Sequence, residues 1–338
     1  MALRKIDIGS EIIQNINDKE NFIMNCINNR KVAMIGCGFV GSASCYALMQ
    51  SGMFSEMVLI DSNQSKAEGE ALDISHGLPF AKPMKIFAGD YSDISDAAIC
   101  IVTAGAAQKP GETRLDLVKK NISIFKSIMP EIKNSGFDGI LLIVANPVDI
   151  LTHVAQKLTG LPEAKVFGSG TVLDTARFKY LLGEHLRVDS RNIDAYIVGE
   201  HGDSEIAVWS SANVTGVPIH DFCEMRGHFQ HEEAMIRIAE EVKNSAYEII
   251  EKKGATYYGI GMSVKRICEA ITRDEETILP VSVALHGDFG IDGVTLSMPA
   301  IVGKNGIEGL IPIKLSAEEM AKLHESADTL KKILEEAF

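Results

Sequence analysis

Six residues, GCGFVG at 36–41, leave this chain few folds to choose from. They follow the apolar run 32–35, which reads as a buried parallel strand, and open a helical stretch that continues to residue 49. In that context each glycine has a task. Gly36 permits the tight turn, Gly38 lets the backbone approach a pyrophosphate, and Gly41 lets helix and strand pack closely. Phe39 and Val40 complete the loop that would line the phosphates at the positive end of a helix dipole. Asp61 comes twenty residues after Gly41, at the end of a second apolar run, 57–60. A carboxylate there accepts hydrogen bonds from a ribose diol and repels a 2′-phosphate, so NAD is expected rather than NADP. The alternative is a glycine-rich turn with an acidic strand end and no ligand.

Two further apolar runs, 97–103 and 139–145, alternate with helical patterns, notably 114–129. That alternation means right-handed βαβ units and a parallel sheet. After residue 168 the character changes. Helices are expected near 171–185, 231–253 and 263–272, and strands at 193–198 and 206–209. Turn signals at Gly287-Asp288, Asp292-Gly293 and Asn305-Gly306 mark an antiparallel element. The chain closes on a helix with a capping box, Ser316 to Glu319, and apolar residues at 320, 323, 327, 330 and 334. The expected fold is α/β, a Rossmann-type doubly wound parallel sheet with a second α+β substrate domain. The expected division is an N-terminal arm at 1–30, a dinucleotide-binding domain at 31–168 and a substrate domain at 169–338. The arm reads either as a segment packing on another subunit or as a partly disordered tail.

Composition removes other classes. With 46% apolar and 23% charged residues among 338, the chain can build a sizeable core. A net charge of −13 without a basic stripe speaks against nucleic acid. No apolar run reaches the roughly 18 residues of a membrane span, and the N-terminus lacks an apolar secretory core. The cysteines at 26, 37, 45, 100, 223 and 268 form no C-x-x-C pair and suit neither zinc nor a disulfide framework. No metal is expected, and a reducing cytoplasm is the expected location.

Three segments place polar residues in apolar surroundings. The first, 105–114, follows a strand at the sheet's carboxyl edge. There Gly105 and Gly111 could hinge a loop carrying Arg114, or Arg114 is simply solvated. In the second, Asp174 and Arg177 share a helix face, as an ordinary ion pair also would. The third sets His201 between Glu200 and Gly202 after a strand, where a surface turn is the alternative. Together they fit hydride transfer to a 2-oxo acid. That reaction needs a proton donor, a cation for the carboxylate, a cation to polarise the carbonyl, and an acid to fix the imidazole tautomer.

At these residues the chain resembles the L-lactate/malate dehydrogenases, most nearly the bacterial L-lactate dehydrogenases. The resemblance runs from about residue 31 to 338. It rests on GCGFVG, AGAAQKPGETRLDLVKKN, VANPVDILT, GSGTVLDTARF, GEHGDSE and KGATYYGIG. It implies His201 as proton donor and acceptor, Asp174 as its partner, and Arg177 as the fork for the substrate carboxylate. It implies that Arg114 polarises the carbonyl and that Asn146 bonds substrate and nicotinamide ribose. Thr256 would line the pocket, Ser169 would meet the carboxamide, and Ile260 would pack on the nicotinamide. Gly105 would join the cofactor loop. The Asn146–Pro147 bond is a candidate for unusual geometry, with a plain turn as the alternative. A late helix, 258–272, is implied to pack on the dinucleotide domain. A homotetramer is the implied assembly. Malate or another 2-hydroxy acid remains an alternative substrate, and a catalytically silent NAD-binding protein the alternative from another class.

Two positions refine this picture. Bacterial relatives activated by fructose 1,6-bisphosphate carry Arg at the position of Lys179 and His at that of Asp194. The exchange to Lys and Asp implies an enzyme that works without the sugar phosphate. Gln108 stands where malate enzymes carry Arg to pair with a second carboxylate. Facing neutral Gln, that carboxylate would lack its countercharge at a cost of ~3–5 kcal/mol, so pyruvate/lactate is the expected pair. Gln108→Arg is therefore expected to raise the ratio of kcat/KM for oxaloacetate over pyruvate at least ~10²-fold. An unchanged ratio in steady-state assays would mean that Gln108 does not face the distal substituent.

Overall fold

A computed structural model describes residues 27–106, 111 and 113–338, with the Arg114 side chain excluded. The expected arm up to residue 26, Cys26 and Gln108 lie outside the described residues.

The first strand, β1 (Asn28–Ile35), begins earlier than its apolar run suggests. Lys31 is 6% exposed, and its ammonium is carried inside by Asp96 at 2.7 Å and Glu56 at 3.3 Å. Paired charge thus extends a strand through a residue that periodicity marks as its edge. Next come α1 (Phe39–Ser51), β2 (Glu56–Ile60), α2 (Gln64–Ser75), β3 (Lys85–Ala88) and β4 (Ala97–Val102). After these follow α3 (Arg114–Asn134), β5 (Ile140–Ile143), α4 (Val148–Thr159) and β6 (Val166–Gly168). The helix α3 runs through Pro130, beyond the expected end at residue 129. Met129 and Ile132 are fully buried on either side, and this anchoring outweighs the hydrogen bond that proline removes.

These six strands are parallel in the order β3-β2-β1-β4-β5-β6. The order reverses between β1 and β4, so a crevice opens beyond their carboxyl ends. A cavity of about 660 Å³ lies there, lined by Gly36, Gly38, Asp61, Thr103 and Gly105.

In the second half, α5 (Val172–Leu186) leads into five two-residue strands. These are β7 (Ile193–Asp194), β8 (Ile197–Val198), β9 (Ile206–Ala207), β10 (Asn213–Val214) and β11 (Val217–Pro218). The continuous strands expected at 193–198 and 206–209 are therefore broken. Tyr196, for example, pairs outside the named strands, accepting at its carbonyl from Val208 N. Helices α6 (Ile219–Met225), α7 (His231–Lys253) and α8 (Tyr258–Thr272) follow. Phe178, Leu182, Val214, Ile238 and Val242 form a small core of their own here, and Trp209 meets Phe178 edge-on at 4.8 Å. The helix α8 turns back onto α1, with Gly261 so close that a Cβ would stand 3.1 Å from the Ala43 carbonyl oxygen.

The antiparallel element is β12 (Thr277–His286), β13 (Asp292–Gly303) and β14 (Gly306–Leu310). It is not a separate sheet. Ser282 pairs with Gly168, so β12 extends the parallel sheet to nine strands. The final helix, α9 (Ala317–Ala337), carries the expected capping box, Ser316 Oγ accepting from Glu319 N at 3.1 Å. Leu323, Ala327 and Leu330 are buried beneath it. The described cysteines, 37, 45, 100, 223 and 268, are free and buried, and burial pushes each thiol up.

The glycine loop separates folding from binding. A Cβ on Gly41 would lie 2.0 Å from the Gly36 carbonyl oxygen, whereas one on Gly38 would meet no protein atom within 4 Å. Gly41→Ala is thus expected to lower Tm by at least ~5 °C in calorimetry. Gly38→Ala should keep the wild-type Tm and weaken NADH binding at least ~10-fold by fluorescence titration. Equal effects of the two would refute the distinction.

Candidate active site

The crevice is built on one side by the start of α1. Gly38 caps this helix in extended conformation without a side-chain cap, so its first-turn N–H groups have no side-chain acceptor. Gly36 adopts φ +100°, and a Cβ there would stand 2.5 Å from Ala104 N, so only glycine fits beside the β4 loop. Asp61 faces this loop from β2. One carboxylate oxygen accepts from Cys37 N at 2.7 Å and the other from Asn63 N at 2.9 Å. The open space above Gly38, the uncapped helix end and the carboxylate fit a nucleotide with a free ribose diol. Val40 packs into the core, while Phe39 is exposed and stacks on Tyr257 at 5.3 Å between ring centroids. That contact joins the glycine loop to the segment 254–257, which carries half-buried Thr256.

The floor comes from the ends of β4, β5 and β6. Gly105 is exposed above β4, and Asn146 is exposed above β5 in a cis bond to Pro147. Asn121, 1% exposed on α3, fastens the two loops. It accepts from Ala106 N at 2.7 Å and donates to the Asn146 carbonyl at 2.8 Å. Sequence reasoning passed over Asn121, although a polar residue ending the run LDLVKKN was its signal. Ser169 is buried at the end of β6, its N–H donating to the Ile143 carbonyl at 2.8 Å. Ile260, at the start of α8, is half-buried against the main core. Arg114 opens α3 behind its Thr113–Asp116 capping box.

The second half contributes the titratable groups. Asp174 is 2% exposed on the first turn of α5. One oxygen accepts from Arg177 Nη1 at 2.8 Å, and the other lies 2.5 Å from His201 Nδ1. The spacing that also suits a simple helical ion pair is therefore part of a three-residue array. Burial opposes the Asp174 charge, but His201 and Arg177 hold its carboxyl below the usual carboxylate range. For His201 burial alone would favour the neutral ring. The charge and hydrogen bond of Asp174, with Asp149 and Glu205 behind them, override burial and raise the imidazole to about 9. His201 is thus a cation near neutrality, with Nε2 the ring nitrogen that Asp174 does not engage.

Two further acids belong to this centre and were not foreseen. Asp149, 2% exposed on α4, accepts from His201 N at 2.8 Å and from Ser282 Oγ at 2.5 Å. Its signal was a charge inside the apolar run Val148–Leu151. Glu205 is 8% exposed, and its Oε1 has no hydrogen-bond partner among the described residues. Burial, then the Asp174 charge, push its carboxyl up to about 8. Its acid oxygen, that of Asp174 and a His201 ring nitrogen lie within 4.8 Å of one another. A cationic imidazole and a guanidinium joined through one carboxylate can protonate a carbonyl whose carboxylate the guanidinium holds.

Known proteins carry the same organisation. Residues 30–168 match the family model for the lactate/malate dehydrogenase NAD-binding domain, and residues 171–338 match its α/β C-terminal domain. The chain is 53% identical over 305 residues to L-lactate dehydrogenase of Acetivibrio thermocellus, covering 90% of this chain and 96% of that one. It is also 53% identical over 310 residues to L-lactate dehydrogenase 1 of Clostridium acetobutylicum, covering 92% and 99%. Among solved structures, minor L-lactate dehydrogenase of Enterococcus mundtii in a ligand-bound form superposes with a TM-score of 0.89 at 46% identity. That match covers 91% of this chain and 98% of the other.

Proposed function

The chain belongs to the lactate/malate dehydrogenase family, and from that membership we propose that it is an NAD-dependent L-lactate dehydrogenase, interconverting pyruvate and L-lactate. The observation that carries the catalytic reading is Asp174 joined to both His201 and Arg177. Gly36, Gly38, Phe39, Val40, Gly41 and Gly105 would hold the dinucleotide, and Asp61 its adenosine ribose. Ser169, Asn146 and Ile260 would receive the nicotinamide end. When bound, NADH supplies a hydride to the carbonyl carbon of pyruvate.

The chain's own groups do the rest. Arg177 grips the pyruvate carboxylate, and Asp174 keeps its guanidinium aimed. His201 gives the proton on Nε2 to the carbonyl oxygen, leaving a neutral imidazole whose Nδ1–H stays on Asp174. Arg114 would polarise the carbonyl, Gln108 would read the distal substituent, Thr256 would line the pocket, and Asn146 would bond substrate and nicotinamide ribose. In lactate oxidation neutral His201 accepts the hydroxyl proton. The division into a dinucleotide domain at 31–168 with α8 upon it and a substrate domain at 169–338 serves this arrangement.

The same reading includes a cytoplasmic homotetramer serving fermentative glycolysis. Apolar surface left exposed at Leu72 and Phe80 supports assembly. It also includes independence from fructose 1,6-bisphosphate. Burial lowers the Lys179 ammonium's hold on its proton, and the Asp194 carboxylate opposes that shift from close by. The Lys179 cation thus already feels an anion of the same chain.

Initial rates of NADH oxidation with pyruvate, oxaloacetate and 2-oxoisocaproate test the activity, and absence of turnover with pyruvate would refute it. His201→Asn should bind NADH normally and lose at least ~10²-fold in kcat. In wild type, kcat/KM for pyruvate should fall as pH rises through about 9, where protonated His201 is lost, while lactate oxidation rises over the same interval. Millimolar fructose 1,6-bisphosphate should leave the half-saturating pyruvate concentration unchanged. A several-fold drop would overturn the reading of Lys179 and Asp194.

A further inference from the structure

We propose that Asp149 is a positioning residue that holds the proton donor in register with the cofactor half of the molecule. The inference rests on the L-lactate dehydrogenase reading. His201 is fixed twice, by different carboxylates. Asp174 holds its ring from α5, while Asp149 accepts its main-chain N–H at 2.8 Å from α4. The two acids come from different halves of the chain. The helix α4 starts at Val148, directly after Asn146 and Pro147. Asp149 is thus anchored to the same short turn that carries Asn146.

The other Asp149 oxygen accepts from Ser282 Oγ on β12 at 2.5 Å and from Ser297 Oγ on β13 at 3.3 Å. The Asp149 carbonyl accepts from Thr295 Oγ1 at 2.5 Å. β13 in turn grips the histidine loop, since Gly199 and Ser297 exchange both backbone hydrogen bonds, at 2.9 and 3.0 Å. One buried side chain therefore meets α4, two strands of the C-terminal meander and the His201 peptide. A carboxylate buried this deeply loses more by desolvation than an apolar residue would, and its first-turn position on a helix offsets only part of that. Packing alone would not select an acid here, whereas fixing one peptide N–H across two halves does.

The charged groups around His201 are Asp174, with Arg177 behind it, on α5, Asp149 on α4, and Glu205 on its own loop. Lys243 on α7 faces Glu205, and Glu200 faces Asp149. Removing the Asp149 charge leaves the others in place and weakens the field that keeps His201 protonated.

Two variants separate positioning from simple stability. Asp149→Asn preserves shape and an acceptor for His201 N–H but removes the charge. Asp149→Ala removes both. Asp149→Ala is expected to keep the NADH Kd within about twofold and to lose ~10²-fold in kcat, the scale of an ångström's misplacement. Asp149→Asn should recover most of that kcat and move the alkaline midpoint of pyruvate reduction down by ~0.5 unit or more. Should the alanine variant not fold, Ser282→Ala with Ser297→Ala frees the carboxylate from the meander and should lower kcat at least ~5-fold at unchanged NADH Kd. Wild-type kcat and midpoint in Asp149→Asn together with wild-type kcat in either other variant would overturn the proposal. So would kcat losses matched by equal losses in NADH-binding capacity. Failure of the underlying activity is read separately, as wild-type enzyme that does not turn over pyruvate.

Discussion

A carboxylate with 2% exposure cannot stand alone, and the second half of this protein is arranged around that fact at Asp174. Its two oxygens are satisfied by one imidazole and one guanidinium. Each of those cations is held beside the acid that needs it. The pairing fixes the imidazole tautomer, raises its basicity and aims the guanidinium. Removing Asp174 would strip both cations of this shared partner, whereas removing either cation leaves Asp174 with the other.

The opposite wall works by absence. At Gly36 and Gly41 backbone passes where side chains would otherwise stand, and at Gly38 space is left for something outside the protein. Asp61, held by two backbone N–H groups, links this wall to the second strand. The cofactor side is thus shaped by omitted carbon and the substrate side by paired charge. Asn121 and Asp149, both nearly fully buried, join the loops that the two sides share.

Much of this was legible in the sequence, because local rules govern it. The glycine spacing, the strand–helix alternation, the terminal capping box and the shared face of Asp174 and Arg177 depend on neighbours a few residues apart. What stayed hidden depends on distant partners. Ser282 meeting Gly168 joins the expected antiparallel element to the parallel sheet, and nothing in either segment announces the other. Buried Lys31 lengthened β1 only because Asp96 and Glu56 meet it. Asp149 and Glu205 read as ordinary acids until burial shows what surrounds them. The roles of Arg114, Ser169 and Ile260 came from resemblance, since their own sequence context admits plain structural explanations.

The joining of the antiparallel meander to the parallel sheet also bears on how the chain is made. The edge strand β6 has only three residues, and its outer neighbour β12 lies more than a hundred positions further on. A ribosome that has released the whole parallel portion has still delivered a sheet with one naked, hydrogen-bonding edge. That edge stays open to chance pairing through the synthesis of α5, α7 and α8, and closes when β12 arrives. The antiparallel meander therefore acts as a late seal. A nascent chain stalled just short of it is the form most exposed to aggregation.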